Sequence, residues 1–363
     1  MKILVITNHS YMLYRFRREV IRQLLDTGCE VVLSTPFVGH EDDFSRMGVR
    51  CIETEVDRRG LNPAVDLRLF RAYRKLIRAE SPDLVVTYSI KPNIYGGLAC
   101  RLEGVPYCAN VQGLGTAFQK KTLAAFVTLL YREAFRRVSA VFFENEANAA
   151  LFREKSICPG EKQCVLPGAG INLDEYAVAP YPDNEKFHFL YLGRIMREKG
   201  VGELFSAAKR MHERHGSAFV LDLAGFFEDE YRESVESLCR SGAAVFHGFQ
   251  EDPRPLYISA DCVVLPSYHE GMSNVLLEAA AVGRPLITSD IPGCRESVSD
   301  GETGFLCPAK DADALFEAME RMFSTSSSSR AEMGRAAHEK MVREFDRKTV
   351  VKRVTDTLLR SAK

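Results

Sequence analysis

Short runs of consecutive apolar residues alternate along this chain with longer stretches in which apolar residues recur every three or four positions. KILVIT (Lys2 to Thr7), EVVLSTP, CIETEV, DLVVTY, YCANV and AVFFE read as strands, and stretches such as Ala64 to Ala79 between them read as helices. Strands that are apolar at nearly every position are covered on both faces, so this rhythm predicts a parallel, doubly wound sheet. The second half repeats it at Phe187 to Leu192, Phe219 to Ala224, Ala243 to Phe246, Cys262 to Leu265 and Pro285 to Thr288. Between the halves AVAPYPDNEK, polar and proline-bearing, predicts a linker. The expected α/β organisation is therefore a Rossmann-like domain over residues 1–177, a linker over 178–186, a second Rossmann-like domain over 187–344 and a terminal helix over 345–363. A length of 363 residues, more than one core comfortably supports, agrees with two domains.

After Leu306 the pattern turns helical. Ser324 to Ser329 reads as a mobile low-complexity loop, and Asp311-Ala312-Asp313 has a D-x-D form that suits either a metal or a helix cap, with capping favoured because LFEAMERMF follows it. No metal ligands are expected.

Composition narrows the class. Apolar residues make up 46% and charged residues 27%, values of a soluble globular protein rather than a disordered or membrane-spanning one. Ten cysteines without a C-x-x-C pair argue against a disulfide framework or zinc site and for a reduced, cytoplasmic setting, and the first methionine leads directly into a strand with no signal peptide expected. Residues 1–177 hold 24 Lys/Arg against 20 Asp/Glu and the remainder 24 against 29, so no basic stripe points to nucleic acid.

In doubly wound sheets ligands sit outside the carboxyl ends of the strands, which directs attention to the loops there. The stretch Pro266 to Asp290, PSYHEGMSNVLLEAAAVGRPLITSD, follows an apolar run with a polar loop and then a helix that Ser273 or Asn274 can cap. The amides of Gly271, Met272, Ser273 and Asn274 would lie at a helix N-terminus, suited to an anion or a hydroxyl-rich ligand. Glu270 in the loop and Glu278 eight residues later on the helix can accept hydrogen bonds from sugar hydroxyls; read singly, they equally suit a decorated loop and a solvated helix face. Upstream, the strand ending at Leu192 leads into Gly193-Arg194, with Lys199-Gly200 five residues after the arginine. Two cations beside a strand end suit a diphosphate, or an ordinary surface pair.

GR-x4-KG followed by E-x7-E, in this order and spacing, resembles the retaining glycosyltransferases of family 4. That resemblance implies a GT-B fold of two facing Rossmann-like domains, with the terminal helix crossing back to the first. It also implies that Arg194 and Lys199 hold the diphosphate of a nucleotide sugar, that Glu278 binds its ribose, and that Glu270 with the amides of residues 271–274 holds the transferred sugar. Arg194, Lys199 and Glu270 are the implied catalytic residues. Phe249, in FHGFQ, falls at the strand end where the family meets the base, uracil by expectation. Where the family carries an aromatic or Phe-Pro after the E-G pair, this chain has Met272-Ser273.

Three loops of the first half stand out. His9 follows the first strand in Asn8-His9-Ser10, which lacks the glycine fingerprint of a dinucleotide site; His9 is either a structural histidine or a ligand contact. Lys91 and Asn93 follow the fourth strand, and Gly113 and Gly115 the fifth, where glycine lets backbone approach a ligand or simply makes a turn. FQKKTLAAFVTLLYREAFRR then places Lys120 and Lys121 at one end and Arg132, Arg136 and Arg137 at the other of a mostly apolar stretch. It reads as a crossover helix packed on the sheet, or as a helix lying on a membrane, and the two readings are compatible for different faces.

HSYMLYRFRREVI, with Tyr14 and Arg17, LNPAVDLR, KPNIYGGLA and GLGTAF resemble the bacterial family 4 enzymes that extend undecaprenyl-diphosphate-linked sugars, and most closely those adding N-acetylgalactosamine to lipid-linked diacetylbacillosamine. The resemblance implies a polyprenyl-diphosphate-linked glycan acceptor contacted by His9, Tyr14, Arg17, Lys91, Asn93, Gly113, Gly115, Lys120, Lys121 and Arg132. It further implies a UDP-sugar donor, no cofactor and no metal, and attachment to the inner face of the cell membrane. Two other classes remain open on the sequence: a GT-B sugar-nucleotide epimerase and a noncatalytic nucleotide-sugar-binding protein.

Overall fold

The structure is a computed structural model that describes residues 1–57, 62–113 and 121–362, the side chains at 121 and 122 excepted. The chain divides into two compact units, Met1–Ala169 with Lys348–Lys363, and Gly170–Arg347.

The first unit holds seven strands: β1 (Lys2–Ile6), β2 (Glu30–Thr35), β3 (Arg50–Glu53), β4 (Leu84–Tyr88), β5 (Tyr107–Val111), β6 (Ala140–Phe143) and β7 (Gln163–Val165). They form one sheet in the order β3-β2-β1-β4-β5-β6-β7, parallel throughout. Every position of β4 and β5 is buried, which is why their sequences run apolar without alternation. The order reverses between β1 and β4, the switch point at which such sheets open a crevice at their carboxyl edge. The terminal helix Arg347–Ser361 belongs to this unit: Val350, Val351, Val354 and Leu358 share a core cluster with Ile3, Val5, Leu33 and Val86.

The second unit repeats the plan with β8 (Phe187–Leu192), β9 (Phe219–Ala224), β10 (Ala244–Gly248), β11 (Cys262–Leu265), β12 (Leu286–Ser289) and β13 (Gly304–Cys307). Its order is β10-β9-β8-β11-β12-β13, again all parallel, with the switch point between β8 and β11. These are two Rossmann-like domains, as the periodicity predicts. Periodicity does not reveal β7 and β13, edge strands of three and four residues.

Two segments differ from the sequence expectation. The run 177–186 is bound into the second unit instead of hanging between two. Arg284, fully buried, donates to the carbonyls of Ala179 (3.4 Å), Pro180 (2.7 Å), Tyr257 (2.9 Å), Ile258 (3.1 Å) and Gly283 (3.1 Å). Those carbonyls occupy the donors of the guanidinium fork and fasten the proline-bearing run to the sheet, and Tyr181 adds a bond to the Asp261 carbonyl at 3.0 Å. Ser324 to Ser329, expected as a mobile loop, instead joins two helices, Ala312–Ser324 and Ser327–Glu344; Ser326 caps the second through the Ser329 amide. Asp311 caps the first of these, accepting from the Asp313 and Ala314 amides, and Asp313 pairs with Arg210.

On one face of the second sheet Asp222 of β9 bridges two histidines, His188 of β8 and His247 of β10, each at 2.7 Å. The hydrogen bond to Asp222 raises the pKa of His188 above its ordinary value, against an opposing effect of burial.

Two stability experiments test this reading. Arg284→Leu strands several buried carbonyls, so it is expected to cost about 3 kcal/mol or more by denaturant unfolding, against less than about 0.5 kcal/mol for exposed Arg343→Leu. For His188 the raised native pKa means its contribution is full below the unfolded value of about 6.5 and fades as pH rises through the native one. His188→Gln is therefore expected to lower the melting temperature at pH 5.5 and to have little effect at pH 9; equal losses at both would remove the ionic account.

Candidate functional site

At the carboxyl edge of the second sheet, β11 ends at Leu265 and the chain turns through Pro266 and Ser267 into the loop bearing Glu270. Ser267 Oγ donates to Glu270 Oε1 at 2.8 Å, fixing the carboxylate from its own loop. Ser273 caps the helix Asn274–Ala281 through the Leu276 amide, and the Ser273 amide is held by the Gly293 carbonyl at 2.8 Å. Gly293, at φ 87°, lies so close beneath this loop that an added Cβ would stand 2.6 Å from the Gly271 carbonyl oxygen. No larger residue fits there, and the sequence signals it only as the glycine of Ile291-Pro292-Gly293.

The second loop leaves β8. Tyr191 donates its hydroxyl to the Arg194 carbonyl at 2.6 Å, and the Gly193 amide donates to the Ala224 carbonyl at 2.9 Å. Burial, with the charge of Glu270 second, pushes the Tyr191 hydroxyl well above its usual pKa, so it stays a donor. A β-bridge between Ile195 and Phe227 ties this loop to the one after β9, where Asp229 accepts from the Arg197 amide at 2.8 Å. Gly200 adopts φ 69°, and a Cβ there would sit 2.0 Å from the Pro266 carbonyl oxygen. The glycine after Lys199 thus lets the two motif loops pack backbone against backbone.

Their side chains meet as well. Lys199 Nζ lies 2.5 Å from Glu270 Oε1, both largely buried, at 16% and 13% side-chain exposure. Arg194, 43% exposed, gives one N–H to Glu228 Oε2 at 2.6 Å. Glu278 is interior rather than solvated and accepts from the Tyr257 hydroxyl at 2.9 Å, the tyrosine being fully buried. Met272 is buried, and Asn274 Oδ1 is buried without a hydrogen-bond partner. At the ends of β9 and β10 the exposed rings of Phe226 and Phe249 lie 6.3 Å apart. Glu228, Ser267, Tyr257, Gly293 and Phe226 escape a motif reading because each acts through a loop neighbour or a partner that the motifs do not include. Cations, carboxylates and helix N-terminal amides thus gather at one sheet edge, an arrangement suited to a polyanion that also carries hydroxyls. Among the described residues no group of three or more His, Cys, Asp or Glu side chains is placed to hold a metal ion.

The first unit treats its predicted contacts unevenly. His9 precedes the helix Ser10–Asp26 at the end of β1, and Tyr14 stacks on His40 at 4.2 Å with the Arg18 guanidinium 5.5 Å from its ring. Arg17 turns inward: it is buried and bonds Glu144 at 2.7 Å. Asn93 is also interior, accepting from Thr87 (2.7 Å) and donating to the Asn110 carbonyl (2.8 Å). Arg17 and Asn93 thus complete buried polar networks, since buried polar groups need partners. Lys91 pairs with Asp66 at 2.7 Å, both mostly buried. Arg132 donates to the Lys155 carbonyl at 2.7 Å. Gly113 follows β5; Gly115 and Lys120 lie outside the described residues, as does the side chain of Lys121. The helix Lys121–Phe135 buries Val127, Tyr131, Ala134 and Phe135 in the core while Phe126 and Leu129 are more than half exposed. No helix among the described residues is long and apolar enough to cross a membrane.

Comparison with known proteins meets this geometry. Residues 186–325 match the family described as glycosyl transferases group 1, and residues 15–169 the glycosyl transferase 4-like domain. The N,N'-diacetylbacillosaminyl-diphospho-undecaprenol alpha-1,3-N-acetylgalactosaminyltransferase of Campylobacter jejuni is 30% identical over 336 residues, 87% of this chain and 88% of that one. The UDP-Gal:alpha-D-GlcNAc-diphosphoundecaprenol alpha-1,3-galactosyltransferase of Escherichia coli is 28% identical over 340 residues, 88% and 84% of the two chains. Among solved structures, WaaG, a glycosyltransferase involved in lipopolysaccharide biosynthesis, superposes with a TM-score of 0.79 at 16% identity, covering 98% of this chain and 99% of that one. Anabaena Alr3699/HepE in complex with UDP gives 0.77 at 18% identity, with 99% of each chain covered. Matched along most of its length and carrying both motif loops on a GT-B fold, the chain belongs to the family 4 glycosyltransferases and is a glycosyltransferase.

Proposed function

We propose that this enzyme transfers a hexose or N-acetylhexosamine, best GalNAc, from a UDP-sugar to an undecaprenyl-diphosphate-linked saccharide in bacterial glycan assembly, with retention at the anomeric carbon and without a metal. The observation that carries it is the contact between Lys199 and Glu270, which joins the loop suited to a diphosphate to the loop suited to a sugar. Relatives that match over most of the chain are named for undecaprenyl-diphosphate-linked acceptors, and this supports the choice of acceptor class.

In this reading Arg194 and Lys199 bind the diphosphate and stabilise the charge that gathers on it as the glycosidic bond breaks. Glu270 and the amides of Gly271, Met272, Ser273 and Asn274 orient the sugar. Glu278, fixed by Tyr257, receives the ribose, and Phe249 lies by the base. Departure of UDP and attack by the acceptor hydroxyl occur on the same face, with the leaving phosphate taking the hydroxyl proton. His9, Tyr14, Lys91, Gly113 and Arg132 serve the acceptor side, Lys91 through its hold on Asp66, with Arg17 and Asn93 behind them in the buried networks. The exposed Phe126 and Leu129, on a helix that also carries Arg132 and lies just before Arg136 and Arg137, suit peripheral attachment to an anionic membrane face.

With EDTA present, UDP-GalNAc, UDP-GlcNAc, UDP-Gal and UDP-Glc are offered separately with polyprenyl-diphosphate-linked mono- and disaccharides. A mass gain of one N-acetylhexosamine from UDP-GalNAc, with an α-linkage by NMR, is the expected outcome, and Glu270→Gln is expected to lower kcat at least about 100-fold. Isomerised UDP-sugar without acceptor would establish an epimerase instead. In a separate assay, Phe126→Ser with Leu129→Ser is expected to weaken binding to vesicles containing anionic phospholipid by about tenfold or more, from the apolar area lost. Unchanged sedimentation would end the membrane assignment of this helix.

A further inference from the structure

Arg194 and Lys199 do not stand alone in the structure. Each of these two cations holds a carboxylate, Glu228 at 2.6 Å and Glu270 at 2.5 Å, so each of the two charges proposed to meet the diphosphate already has a counter-charge. Glu270 belongs to the sugar loop, but Glu228 comes from the loop after β9 and lies outside both sequence motifs.

The position of Glu228 is set by backbone. Its amide donates to the Ile195 carbonyl at 3.1 Å, immediately after Arg194; Phe227 forms the bridge to Ile195; Asp229 accepts from the Arg197 amide. Its side chain is 18% exposed, whereas that of Arg194 is 43% exposed. The acid is thus fixed beside a guanidinium that is itself open to solvent.

We infer that Glu228 is a built-in counter-charge that holds down the affinity for the nucleoside diphosphate, and so favours departure of that product after transfer. The inference rests on the proposed diphosphate site at Arg194. A diphosphate on that guanidinium lies near the Glu228 carboxylate, and like charges within about 4–6 Å oppose one another. Glu228 also orients the guanidinium, so charge and orientation act in opposite directions. Glu228→Gln separates them, because the amide oxygen still accepts from Arg194 while the charge is gone.

The test is calorimetric titration of UDP and of uridine, which lacks phosphates, into the wild-type protein, Glu228→Gln, Glu228→Ala and Arg194→Gln. Glu228→Gln is expected to tighten UDP about three- to fivefold and to leave uridine unchanged. In transfer assays it is expected to lower the inhibition constant of UDP by the same factor. Glu228→Ala removes the orienting contact together with the charge, so its gain in UDP affinity over uridine is expected to be smaller than that of Glu228→Gln. UDP binding that is unchanged or weaker in Glu228→Gln, while Arg194→Gln weakens it, would show that the carboxylate merely orients the arginine and would overturn the inference. If Arg194→Gln leaves UDP affinity unaltered, the diphosphate site itself is misplaced and the inference goes with it.

Discussion

The ion pair between Lys199 and Glu270 is the constraint on which the second domain's carboxyl edge depends. Neither loop is held by it alone: the Gly200 backbone packs on Pro266, Ser267 anchors Glu270, and Gly293 supports the turn from below. Two charges taken this far out of water are costly unless both are paired and hydrogen-bonded. Removing either partner leaves the other charge buried, which makes the loops interdependent although 71 residues separate these two side chains in the chain. The sheet makes the meeting possible, since parallel strands β8 and β11 are direct neighbours and deliver both loops to the same edge.

Much of this was legible in the sequence because it follows from local periodicity. Apolar runs such as Cys262–Leu265 announce strands covered on both faces, and the spacing of Arg194, Lys199, Glu270 and Glu278 places all four at strand ends or on the helix that follows. What was not legible is long-range satisfaction of polar groups. Nothing in the local sequence of Asn93 or Arg17 shows that, folded, they close buried networks with Thr87, Asn110 and Glu144. The run 177–186 has the composition of a linker, yet a single buried arginine more than a hundred residues away, Arg284, binds its carbonyls. Composition reports what a segment can do in water, and not which partner the fold brings to it.

The helix Lys121–Phe135 bears out the crossover reading on one of its faces. Its buried face, Val127, Tyr131, Ala134 and Phe135, meets the requirement for a crossover helix on a parallel sheet. Packing of that face accounts for its helicity and leaves Phe126 and Leu129 unexplained by the core. Single exposed apolar residues are ordinary, but two at a spacing of three on one helix face form a stripe that is kept at a solvation cost.

Charge balance gives the site its chemical character. A diphosphate meeting two unpaired cations would bind tightly before and after reaction alike, and uniform binding does nothing for the chemical step. With both cations already held by carboxylates, the gain on binding a ground-state diphosphate is reduced. In the reaction proposed above, negative charge grows on the phosphate nearest the sugar as the glycosidic bond breaks, and its interaction with Arg194 and Lys199 strengthens with it. Their geometry is set beforehand by Glu228, Glu270 and the bridged backbone, so little reorganisation opposes that strengthening.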